Sequence, residues 1–248
     1  MSPTHCRPCA FECFARQLPA IDSCCGRGLL EAALAISMHE LGEVDVHSID
    51  RQLQQFADDV QQRVPHLVDQ LRSGQPANPE PVLAHLHTVL FDEQQFRGNI
   101  DDYYNPHNSY IPTVLQTRRG IPITLTLIYK NVAERLGLRV HGINAPGHFL
   151  AAIDPPSEAQ PPGACVPGRM YIDTFCGGRI LNKTEVCQFL EHTLGRPIPY
   201  QKSMLSPATN RQWLNRMLQN LQNIFAFTRR ESDLAAMQEM VFLLHEPM

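Results

Sequence analysis

A chain of 248 residues, 43% hydrophobic and 19% charged, has enough apolar material for a sizeable core and too much for a disordered segment. Its formal net charge of −4 and pI near 6.2 exclude a general nucleic-acid binder, which needs a basic field to recruit phosphates. No apolar run is long enough to cross a bilayer, and the opening MSPTHCRPCAFECF lacks the basic and then continuously apolar pattern of a secretory signal. A cytoplasmic location is expected, with neither nucleic acid nor membrane as partner.

The eight cysteines are unevenly placed: Cys6, Cys9, Cys13, Cys24 and Cys25 crowd the start, and Cys165, Cys176 and Cys187 lie late. A chain with a full core does not need disulfide staples, and a cytosolic thiol pool keeps them reduced. His5, Cys6, Cys9 and Cys13 include the Cys-x2-Cys spacing that lets two sulfurs reach one ion. No second Cys-x2-Cys or His-x3-His pair completes a familiar set of four, so neither metal nor cofactor is expected.

Helical patterning dominates the first third. Residues 28–41 put Leu29, Ala32, Ala33 and Ile36 on one face. Ser48 is placed to cap a second helix with the stripe Ile49, Leu53, Phe56, Val60 and Val64. Residues 73–79 are a loop by their turn residues, and Asn78 and Pro79 open a third helix carrying Leu83, Leu86 and Leu90. Residues 96–120, rich in Gly, Asn, Asp and Pro with Tyr103, Tyr104 and Tyr110 interleaved, are predicted to form an ordered loop rather than regular structure. Asn99 and Asn108 then serve backbone capping within that loop or line a site; capping is the commoner use of Asn.

Residues 118–149 organise the rest. Ile121, Ile123, Leu125 and Leu127 alternate as a strand would, yet Leu125, Ile128, Val132 and Leu136 sit at helical spacing. Pro122 suits a first helical turn and Gly137 a C-cap, and local propensity does not arbitrate. Strands are predicted over 139–144 and 148–154 around the Pro146-Gly147 turn, a surface insertion over 155–168, and a further strand from Met170. Arg118 and Arg119 stand on the wrong side of a helix start for its dipole, so pairing with Asp101 or Asp102 is expected, with an anion site at the helix N-terminus as the alternative.

An ordered series of short motifs runs through this part: NSY at 108–110, RRGIPITL at 118–125, RLGL at 135–138, PGHFL at 146–150, IDTFCGG at 172–178 and RML-x-NL at 216–221. Together they resemble the SirB-type transglutaminase-like proteins, a bacterial family whose domain also occurs in certain F-box proteins. The resemblance implies an α+β, papain-like fold: a central helix, beginning near Pro122, on an antiparallel sheet with extra helices before it. Active members of that superfamily hold a Cys at the start of the central helix, a His at the next strand and an Asp on the one after. The helix dipole and His⁺ depress the thiol pKa, and the Asp fixes the imidazole. The resemblance puts His148 and Asp173 at the latter two positions, and Pro122 where the sulfur belongs. Pro122 has no nucleophilic atom, and the hydroxyl of neighbouring Thr124 is a weak nucleophile without a base.

His148 and Asp173 are therefore the candidate remnant of a catalytic triad, with Asn108, Arg119, Pro122, Thr124 and Cys176 as pocket candidates. The pair either ties two strands together in the core or lines a polar pocket. Cys176, just beyond Asp173, is within reach of His148 only if its loop brings the thiol inward. Beyond the core, Ser206-Pro207 is read as the start of a helix bearing Trp213, Leu214, Met217, Leu218, Leu221, Ile224 and Phe225, followed by a second helix from about Ser232. The resemblance makes this pair the start of tetratricopeptide-like repeats. Such a pair either packs back on the domain or leaves an apolar face for a partner or a second copy, and weak self-association is expected. The division expected is 1–95 helical, 96–200 transglutaminase-like core and 201–248 helical hairpin. The function expected is that of a non-catalytic protein-interaction or regulatory module, probed by an unidentified protein partner. The alternative is an amide-processing enzyme using His148 and Asp173.

Overall fold

The protein is described from a computed structural model that covers residues 2–21, 27–75, 77–154, 168–197 and 201–245. Cys24, Cys25 and Cys165, and most of the insertion expected over 155–168, lie outside the described residues. The helices in chain order are α1 (Pro8–Gln17), α2 (Arg27–Leu41), α3 (Val46–Gln61), α4 (Pro65–Arg72), α5 (Glu80–His87), α6 (Ile111–Thr117), α7 (Pro122–Arg135), α8 (Lys183–Leu194), α9 (Asn210–Phe227) and α10 (Glu231–His245). Four strands, β1 (Val140–Ile143), β2 (Leu150–Ile153), β3 (Met170–Asp173) and β4 (Arg179–Leu181), form an antiparallel sheet in sequential order. The fold is α+β.

Several helix boundaries differ from the sequence reading, each for a local reason. Asp45, not Ser48, caps α3, its carboxylate accepting the Ser48 N–H at 3.0 Å. The stripe ending at Val64 is cut in two, because Pro65 pushes Val64 out of the helical region (φ −138°, ψ 55°) and starts α4. Asn78 accepts the Glu80 N–H at 3.0 Å, and α5 then runs on into a π-helical turn over Thr88–Glu93. The segment 96–120 is not all loop: Pro112 sits in the first turn of α6, whose buried Ile111, Val114 and Leu115 hold it to the core. The helix that the resemblance implies from near Pro122 is present as α7, and the residues at helical spacing, Leu125, Ile128, Val132 and Leu136, are all buried.

The contacts group the chain into two units. The first comprises Met1–Ile49, Asn99–Thr124 and Thr209–Met248, and the second Asp50–Gly98 and Leu125–Ala208. In the first, α2 packs on α1, α6 and α9, and α9 on α10. In the second, the sheet has one face formed by Ile143, Leu150, Ala152, Tyr171 and Leu181, covered by Val186 and Leu190 of α8 and by Leu205. Ser206-Pro207 does not start α9. Pro207 bridges Ile143, and the Ala208 N–H donates to Gly142 O at 2.8 Å, so these residues extend the edge of the sheet. The cap falls instead on Thr209, which exchanges hydrogen bonds with Gln212 in a reciprocal box.

Candidate functional site

Side chains alternate across a strand, so Asp173, two residues beyond Tyr171, points to the face that α8 covers. His148 reaches the same place from the turn between β1 and β2. Its N–H donates to Ala145 O at 3.2 Å, and Gly147 supplies the positive φ (+74°) that this turn needs. The imidazole Nε2 then lies 3.0 Å from Asp173 Oδ1. Both residues are buried, His148 to 7% and Asp173 to 1% of their full exposure. Two rings close over the imidazole edge-on, Phe175 at 6.2 Å and Phe189 of α8 at 4.9 Å between centroids.

Asp173 Oδ1 does more than hold His148. It also accepts the peptide N–H of Phe175 at 3.1 Å and of Cys176 at 3.2 Å, while the Gly178 N–H donates to the Asp173 carbonyl at 2.9 Å. The carboxylate thereby organises the whole β3–β4 turn. Burial opposes its ionisation, but the hydrogen bonds from His148 and Cys176 and the attraction of His148 prevail, and hold its carboxyl below the usual carboxylate range. The turn is packed at close range. A Cβ at Gly178 (φ +78°) would stand 2.2 Å from the Phe91 ring, and one at Gly98 would stand 2.4 Å from the Phe175 ring. Thr174 completes the anchoring through a 3.0 Å hydrogen bond to Thr126 of α7.

Cys176 is exposed, and its surroundings work against a thiolate. Partial burial, and then the adjacent Asp173 charge and hydrogen bond, push its thiol up to about 11. A reactive cysteine needs the opposite, an electropositive setting. Asp173 Oδ2 is buried without a hydrogen-bond partner among the described residues, and none of them bonds His148 Nδ1.

The remaining candidates fall in the first unit. Asn108 is buried, and its side-chain amide donates to Asp102 O (2.6 Å) and Tyr103 O (3.1 Å) while its oxygen accepts from Asn99 at 2.8 Å. Its role there is loop capping. Arg118 is the left-handed C-cap of α6 and donates to Leu115 O; Arg119 donates to Arg118 O at 3.0 Å. Both cations thus stand at the C-terminal, electronegative end of α6, an arrangement hidden from the sequence because α6 itself was hidden. Pro122 opens α7, and Thr124 is fully buried with its hydroxyl lacking a hydrogen-bond partner among the described residues. Phe175 and Phe189 were not anticipated. Phe175 lies inside a quoted motif, whereas Phe189 comes from a helix whose docking no local pattern signals. Among the described residues, no group of three or more His, Cys, Asp or Glu is placed to hold a metal ion.

An antiparallel sheet carrying a buried His–Asp pair, with a proline-started helix feeding it, defines a transglutaminase-like domain. A family model described as the transglutaminase-like superfamily matches residues 47–219. A UPF0162 protein of Xylella fastidiosa is 32% identical over 205 residues, 82% of this chain and 66% of that protein. A UPF0162 protein of Pseudomonas aeruginosa is 26% identical over 218 residues, 88% of this chain and 69% of its own. F-box only protein 21 of Mus musculus is 40% identical over 111 residues, which is 44% of this chain and 17% of that protein. No solved structure matches. The chain belongs to the SirB-type, UPF0162 family of transglutaminase-like proteins, and it spans just under two thirds of the length of its Xylella relative.

Proposed function

We propose that this domain is a non-catalytic transglutaminase-like module that acts through protein contacts. One observation carries the reading: Asp173 Oδ1 is shared between His148 and two peptide N–H groups of its own turn, beside a thiol held protonated. A His–Asp pair used this way is a staple for the β3–β4 turn. Pro122, at the position where the family resemblance expects sulfur, offers no nucleophile. The length shared with F-box only protein 21 is a small part of that protein, which suits a domain built into different contexts.

The partner in this reading is a protein in the cytoplasm, not nucleic acid or membrane; the acidic net charge supports it, and no described helix is long and apolar enough to cross a membrane. Weak self-association through the C-terminal helices belongs to the same proposal, with Phe227 (80% exposed) and Phe242 (52% exposed) as the apolar groups that α9 and α10 present. The second reading, an amide-processing enzyme, draws on the buried Asp173 Oδ2 and on the Nδ1 of His148, neither of which has a described partner. A thiol-reactive amide probe separates the two. Equal labelling of wild type and His148→Ala is expected, and labelling confined to wild type would overturn the non-catalytic reading.

A further inference from the structure

In the first unit, the segment before α1, the end of α2 and the start of α10 line an open cleft of about 540 Å³, within the size range of small-molecule sites. Its wall before α1 is fixed by backbone hydrogen bonds. Glu239 of α10 accepts the N–H groups of Thr4 (2.9 Å), His5 (3.0 Å) and Cys6 (2.9 Å), and the Arg7 N–H donates to His39 Nδ1 at 3.3 Å. That last bond makes Nδ1 the acceptor, so Nε2 carries the hydrogen donated to Asp233 Oδ1 at 2.9 Å. The cleft is thus a tied structure and not a gap between loose segments.

Arg230 forks between the other two walls, Nε to Asp233 Oδ2 at 2.8 Å and Nη2 to Glu40 Oε1 at 2.5 Å, which offsets one of their two carboxylates and leaves one negative charge in excess. Glu40 Oε2 accepts the Tyr110 hydroxyl at 2.5 Å. Each carboxylate therefore accepts two described hydrogen bonds from side chains, and an ionised carboxylate offers about four lone-pair sites, so accepting capacity remains on both. The segment before α1 contributes Arg7, whose guanidinium is paired with no carboxylate among the described residues. It lies over the end of α2, where a Cβ on Gly42 would come within 2.9 Å of its Nη1. Cys6, with its thiol pushed up to about 12 by burial and then by Glu239, adds an uncharged surface next to it.

We propose that this cleft binds a small zwitterion carrying a carboxylate and an ammonium, as in a free amino acid or a dipeptide, with the carboxylate on Arg7 and the ammonium on Glu40 and Asp233. Each end forms charge-assisted hydrogen bonds, and the ligand's zero net charge matches the one cation without a described carboxylate partner and the one carboxylate left in excess by Arg230. Arg7 sets the preference for a carboxylate because it is the cation of the cleft not already engaged with one.

Titration of the full chain with alanine and with dialanine, followed by amide chemical shifts, tests this. N-acetylalanine and alaninamide, each lacking one charge, serve as controls. Saturable binding of at least one zwitterion is expected, with shifts centred on residues 5–8, 39–42 and 230–233. Both controls and the Arg7→Gln variant should bind about tenfold weaker or worse, the loss typical of one charged hydrogen bond, while the thermal midpoint of Arg7→Gln stays that of wild type. Three results each overturn the proposal: no saturable binding of either zwitterion, either control binding as tightly as the zwitterion that binds, or unchanged affinity in Arg7→Gln.

Discussion

At the scale of single residues, the weight falls on Asp173. An Asn in place of this carboxylate keeps one acceptor oxygen for the imidazole and the two peptide N–H groups, but it loses the charge that strengthens those bonds and puts an amide NH2 at the buried, unpartnered Oδ2. Asp173→Asn is therefore expected to cost about 3 kcal/mol at neutral pH, read from urea unfolding. The pH dependence has a definite sign. Because the folded-state pKa lies below the unfolded value, near 3.9, the contribution is complete above about pH 4 and is lost as pH falls through the folded-state value. The stability gap between wild type and Asp173→Asn should close as pH falls below about 4. His87 gives a titration of the same sign in a higher pH window. Burial lowers its imidazole to about 4, against a smaller opposing pull from Asp92, and its Nε2 meets the Tyr129 hydroxyl at 3.0 Å. As pH falls from about 6.5 towards 4, the unfolded chain takes up a proton that the folded chain refuses, so stability declines across that window. His87→Phe should remove that part of the pH slope.

At the scale of elements, the capping chemistry decides where helices begin. Thr209 and Gln212 form a reciprocal box at the head of α9, and Asn182 and Glu185 do the same for α8. Thr209→Ala is expected to lower stability by about 1 kcal/mol, measured as a fall in denaturation midpoint, whereas Ser206→Ala, once read as the cap, should cost less. The same contrast marks what the sequence made legible. The apolar stripes of α2, α3 and α9 and the strand at 170–173 were readable because period acts locally, whereas the helix from Pro122 followed from the family resemblance and not from local propensity. The start of α9 was not, since Ser-Pro and Thr-x-x-Gln are both sound helix openings, and pairing of Pro207 with Ile143 across the sheet chose between them. The brief α6 was hidden by turn-rich neighbours, and with it the reason two arginines stand at 118–119.

At the scale of the whole molecule, the site was legible as a pair but not as a function. His148 and Asp173 were named from the motifs, and the structure brings them within hydrogen-bond distance. What no sequence pattern carried is the sharing of Asp173 with its own turn, the ring of Phe189 against the imidazole, and the carboxylate that disfavours a Cys176 thiolate. The first two come from backbone groups and from a residue distant in sequence, and the third from the path of a tight turn that residue order alone does not show. Self-association is likewise a property of the whole surface. Leu244 is 2% exposed and belongs to the core, so Phe242 is the informative position. Phe242→Glu should abolish any concentration-dependent rise in sedimentation coefficient without changing the circular dichroism spectrum.

The central claim is that the His–Asp pair organises a turn and activates no thiol. Its most direct test is the rate of iodoacetamide alkylation against pH, followed peptide by peptide over all eight cysteines, in wild type and His148→Ala. The account predicts that Cys176 reacts with an apparent pKa of about 11, and that no cysteine loses a low-pH reactive form when His148 is removed. A thiol in the wild type that titrates below about 7 and reverts to an ordinary value in His148→Ala would contradict it.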